Sequence, residues 1–125
     1  MDKKRPVNLD LGTIALPITS YVSILHRVSG VIMFFAVAVL LWLLESSLAS
    51  EASFNELSDL FNNPLCQIIV WGTLAALAYH SVAGMRHMIM DFGVGEDSFY
   101  AGRLSAWAAL ALAALVIALI TLWVF

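Results

Sequence analysis

Charge is scarce in this chain. Only 12% of its 125 residues are Asp, Glu, Lys or Arg, against 62% hydrophobic residues, and a soluble domain of this size does not carry so apolar a composition. An integral membrane protein is the class that remains. The six Lys and Arg are outnumbered by nine acids, for a net charge of −3, so nucleic acid is excluded as an electrostatic partner. Cys66 is the single cysteine. It can form no internal disulfide and has no metal-type cysteine spacing, so it is read as a small apolar residue. No cleavable leader is expected either. The basic start Met1-Asp2-Lys3-Lys4-Arg5-Pro6 is followed by Asn8, Asp10 and Pro17 instead of a compact apolar region with a small-residue cleavage site. Asp2 and Asp10 also argue against a mitochondrial presequence, leaving a bacterial cytoplasmic (inner) membrane as the expected location.

What is abundant is uncharged length. Residues 28–44 carry no charge and fall slightly short of the ~20 residues a crossing needs, so the first span must borrow turns on its N-terminal side. Those turns hold Ser23, His26 and Arg27, at i, i+3 and i+4. Residues 65–85 and 104–125 are each long enough to cross, and Pro64 is placed to open a helix. The expected spans are about 20–46, 65–89 and 104–125, in a single membrane-anchor domain covering 1–125. Between the first two lies a polar connection with Glu45, Glu51, Glu56 and Asp59 and no Lys or Arg. With three spans, Lys3, Lys4, Arg5, Arg27, Arg86 and Arg103 all fall on one side and these acids on the other. The expected fold is therefore an all-α integral membrane protein with three transmembrane helices, N-terminus cytoplasmic and C-terminus periplasmic. Residues 1–19 lie along the membrane surface, under a soluble partner, or as a polar leader.

The chain's organising stretch is Ala78-Tyr79-His80-Ser81-Val82-Ala83-Gly84-Met85-Arg86-His87-Met88-Ile89-Met90-Asp91. On a helix, His80, Gly84 and His87 share one face, with the two imidazoles about 10 Å apart along the axis and a gap between them. That face suits a flat macrocycle lying against Gly84, ligated by His80 and met at its carboxylates by His87. A hydrogen-bonded core histidine is the plainer alternative, but ionisable groups at membrane depth are costly and point to function. Arg27 also has a plain reading, as a snorkelling anchor at a helix end. With Ser23 one turn earlier, it equally offers a hydroxyl and a cation to a carbonyl that gains negative charge on reduction.

Two stretches together carry a resemblance: Arg5-Pro6-Val7 followed by Ser23-Ile24-Leu25-His26-Arg27-Val28-Ser29, and His80 through Gly84, Met85, Arg86 and His87 to Asp91. The chain resembles the cytochrome b membrane-anchor subunits of succinate dehydrogenase (succinate:quinone oxidoreductase) over its first two spans and the lead into the third. The resemblance implies that His80 is an axial ligand of a b-type haem whose second axial histidine comes from a companion small anchor subunit. It implies that Ser23 and Arg27 line a ubiquinone site beside an iron–sulfur subunit, and that His26 and His87 lie near the haem propionates. It further implies a flavoprotein subunit that oxidises succinate in the tricarboxylic acid cycle, so this chain would be a non-flavin subunit of an enzyme complex, not catalytic alone. The residues limit the ligand choice in the same direction. His87 shares His80's helix face and cannot reach the opposite side of the same iron, and His26 sits nearer the cytoplasmic edge. A haem-free structural anchor and a small proton-conducting or transport subunit, using Arg86, His87 and Asp91, are the rival readings.

Overall fold

The structure is a computed structural model that describes residues 5–7, 9–10 and 12–125. Lys3 and Lys4 of the basic start, and Asn8 and Leu11 of the N-terminal pattern, lie outside the described residues. Among the described residues four helices follow in order: α1 (Ile18–Ala49), α2 (Glu51–Leu60), α3 (Pro64–Asp91) and α4 (Phe99–Val124). Of these, α1, α3 and α4 are long and apolar enough to cross a membrane. At 32 residues, α1 is about 48 Å long, well beyond a hydrocarbon core of about 30 Å. Both of its ends therefore reach the polar zones.

Local sequence explains the boundaries. Pro64 is the first residue of α3, and the Asn63 side chain caps it by accepting from Leu65 N–H. Ser98 caps α4 by accepting from Ala101 N–H, and so α4 begins at Phe99, before Arg103 and ahead of the expected span. Hydropathy marks where charge stops, whereas the cap marks where the helix starts. The C-terminus of α3 closes as a Schellman motif, with Gly93 N–H on Met90 C=O and Val94 N–H on Ile89 C=O. That closure needs the left-handed conformation that Gly93 adopts at φ +79°.

The expected polar connection contains a helix. Ser50 opens α2 by accepting from Ser53 N–H, and Leu57 is buried. Phe54, Leu57 and Leu60 recur every third residue, a helical signal masked by the acids between them.

α1, α3 and α4 run up, down and up. Small residues line their seam: Val22, Ala83 and Ala106 form one buried cluster and Val82, Ala109 and Ala113 another. Small side chains let helix backbones approach closely, which is how helices associate in lipid, where burying apolar surface gives no advantage. The large apolar residues face outward instead, among them Phe34 (78% exposed) and Leu122 (80%). Besides the histidines described below, Tyr79, Trp71 and Arg86 tie the helices. Tyr79 Oη donates to the Val22 carbonyl at 2.9 Å, Trp71 Nε1 donates to Thr121 Oγ1 at 2.8 Å, and Arg86 is bound to α4.

Candidate functional site

The antiparallel packing of α1 on α3 brings all three histidines together. The His26 and His80 rings stack, with centroids 4.3 Å apart and planes 12° from parallel. His87 tilts against His26 at 5.0 Å. The three side chains expected near one cofactor thus form one contiguous cluster, reached from two helices.

The hydrogen bonds fix the state of His80. Its Nδ1 lies 3.0 Å from Ser29 Oγ and 3.3 Å from the His26 carbonyl. A carbonyl oxygen only accepts, and Ser29 already uses its O–H to donate to that same carbonyl at 2.7 Å. Nδ1 therefore carries a proton, and in the neutral imidazole this leaves the lone pair on Nε2, the tautomer that binds a metal. His26 Nε2, in contrast, is buried without a hydrogen-bond partner, an unusual condition for a polar atom.

Glycine makes the cluster possible. A Cβ on Gly30 would come within 3.3 Å of His80 Cε1, and one on Gly84 within 3.3 Å of His26 Nε2. Gly84 does provide the gap read from the sequence, but the His26 ring lies across it. Ser23, His26 and Arg27 do not act as one polar patch. His26 turns inward to α3, while Ser23 and Arg27 line an open depression of about 360 Å³ with Leu16, Thr19, Ser20 and Ile24. One residue apart on a helix is about 100° of rotation, enough to send His26 and Arg27 to different faces.

Arg86 is placed by the structure alone. It is buried, with Nε donating to Ser105 Oγ at 3.0 Å and a terminal nitrogen donating to the Gly102 carbonyl at 3.2 Å. It serves as a clasp between α3 and α4. Ser29, which the sequence reading assigned no role, is the other addition; its signal was a hydroxyl three residues after His26 on the first apolar helix.

Comparison with known proteins follows the same line. A family profile described as succinate dehydrogenase/fumarate reductase transmembrane subunit matches residues 1–120. The chain belongs to this family. Its relatives include the succinate dehydrogenase cytochrome b556 subunits of Coxiella burnetii, 37% identical with all of both chains covered, and of Paracoccus denitrificans, 31% identical over 97% of this chain and 92% of that one. The subunit of the same name from Rickettsia felis is 36% identical over the same shares. As a family member with three apolar helices, the chain is a multi-pass membrane-anchor subunit of succinate dehydrogenase in the bacterial inner membrane. The three histidines, Ser23 and Arg27 all lie within the matched span.

Proposed function

We propose that this chain is the haem b-binding anchor of a succinate:quinone oxidoreductase, that it forms part of the ubiquinone-reduction site, and that it docks the soluble flavin and iron–sulfur subunits. The observation that carries this reading is the protonation pattern of His80, whose Nε2 lone pair is left free by two acceptors on Nδ1. The surroundings fit a haem. Gly30 and Gly84 let the His80 and His26 rings lie close against the helix backbones, and the orphaned, buried His26 Nε2 leaves a hydrogen-bonding position that a propionate would fill. Among the described residues no three His, Cys, Asp or Glu converge as a metal-ligand set. A metal held by His80 would therefore need its remaining ligands from outside this cluster, and a haem would bring its own.

His80 would hold the iron from one side, with His26 and His87 toward the propionates. Because the His26 and His80 rings are stacked, their nitrogens lie side by side and do not face each other across one metal. A second iron-binding histidine would then come from a companion anchor subunit. When bound, the haem would supply a one-electron acceptor. Ser23 donates a hydrogen bond to a quinone carbonyl, and Arg27 stabilises the negative charge that reduction places on the oxygen. Arg27, Arg86 and Arg103 lie at the helix ends joined by the His cluster and by the Arg86 clasp, opposite the acids of α2, so we assign that end to the cytoplasm. The soluble subunits dock there.

One feature favours a haem-free anchor: the His26 ring already fills the space at Gly84. Purification of the complex through a tag on this chain distinguishes the two. The haem reading expects co-purified flavoprotein, iron–sulfur and second anchor subunits with a succinate-reducible b-type spectrum, whereas the alternative expects the subunits without the spectrum.

A further inference from the structure

We propose that Ser29 is a positioning residue for the haem ligand, setting the tautomer, ring rotation and electron-donating strength of His80 from the neighbouring helix. The proposal rests on the haem reading of His80 given above. Ser29 is only 5% exposed and lies in the seam between α1 and α3. Its donor capacity is committed to the His26 carbonyl at 2.7 Å, so toward His80 Nδ1, 3.0 Å away, it can only accept. A hydroxyl at this position would ordinarily be free to rotate between donor and acceptor roles. Here the backbone bond removes that freedom, and the proton on Nδ1 is held in place. The adjacent Gly30 completes the arrangement, since any Cβ there would press on His80 Cε1 at 3.3 Å. The consecutive pair Ser29-Gly30 thus gives the ring one polar contact and one flat backbone surface. Outer partners of this kind orient a ligating histidine and raise its basicity.

An imidazole that loses its Nδ1–H acceptor donates less electron density to iron and favours the oxidised state less. Removing the Ser29 hydroxyl should therefore raise the haem midpoint potential and loosen the haem. The test compares Ser29→Val with Ser29→Thr in the purified complete complex, because the two side chains have the same shape and differ by the hydroxyl. Haem transfer to excess apomyoglobin and redox titration of the b band are the readouts. The proposal expects Ser29→Val to lose haem about 10–100-fold faster with an upward potential shift, and Ser29→Thr to stay near wild type. Equal behaviour of the two variants, whether both shifted or both normal, overturns it. If the branched pair does not assemble, Ser29→Ala is read the same way: a raised potential supports the proposal, and a wild-type potential, with the His26 carbonyl taking over, overturns it. His80→Ala is the control for the underlying reading. Should His80→Ala keep its haem, that reading fails and this proposal with it; should His80→Ala lose haem while Ser29→Val matches Ser29→Thr, only the role of Ser29 fails.

Discussion

Replacing Arg86 by Leu tests whether a buried guanidinium, and not only small-residue packing, holds α3 to α4. The side chain makes two bonds across the seam, to Ser105 Oγ at 3.0 Å and the Gly102 carbonyl at 3.2 Å. Interhelical hydrogen bonds in membranes average about 0.6 kcal/mol, which gives a central figure of about 1.2 kcal/mol for the pair. The strongest of them reach about 1.7 kcal/mol, giving an upper figure of about 3.4 kcal/mol. The loss should not exceed this, because Ser105 Oγ also donates to the Gly102 carbonyl at 3.0 Å and keeps that acceptor satisfied after substitution. Arg86→Lys retains the charge but cannot span both acceptors with a planar fork, so it should fall between Leu and wild type. The assay is SDS titration of the purified complex in mixed micelles, followed by helicity. A cycle with Ser105→Ala should show a coupling of about 0.6–1.5 kcal/mol. An unchanged midpoint for Arg86→Leu, or effects that simply add in the cycle, would refute the clasp.

Two further outcomes are expected. Ser23→Ala and Arg27→Leu should depress quinone reduction, by about 10²-fold if each acts as a charge-stabilising group, while succinate oxidation with an artificial acceptor that bypasses the depression survives. Wild-type quinone rates in normally assembled variants would return both residues to the role of membrane-edge anchors. Reporter fusions after residues 62, 97 and 125 should read outside, inside and outside, and a cytoplasmic reading at residue 125 would reverse the orientation.

Much of the fold was legible because charge is so sparse. Each long uncharged run became a helix, and Pro64 opened α3 as its ring geometry favours. The start of α4 was less legible, since Ser98 starts it ahead of Arg103 and hydropathy responds only to the charge. α2 was hidden because Glu51, Glu56 and Asp59 outweighed the spacing of Phe54, Leu57 and Leu60.

The candidate site was legible in its residues and only partly in its arrangement. His80, Gly84 and His87 share a helix face by periodicity alone. Which neighbour meets that face depends on how α1 rotates, and a sequence does not carry that rotation. Thus His26, grouped by spacing with Ser23 and Arg27, turned instead against His80 and across Gly84. Arg86 illustrates a related limit: an arginine near a helix end reads as a lipid-interface anchor, and only the tertiary packing against Gly102 and Ser105 shows it buried.

The central claim, that His80 is this chain's haem ligand, is tested most directly by reduced-minus-oxidised spectra and haem content of the purified complex, normalised to assembled protein. Wild type, His80→Ala, His26→Ala and His87→Ala are measured side by side. The expected result is loss of the b-type band in His80→Ala, with the band kept but shifted or weakened in the other two variants. A His80→Ala complex with an unchanged b-type spectrum, above all if His26→Ala loses it instead, would contradict the account.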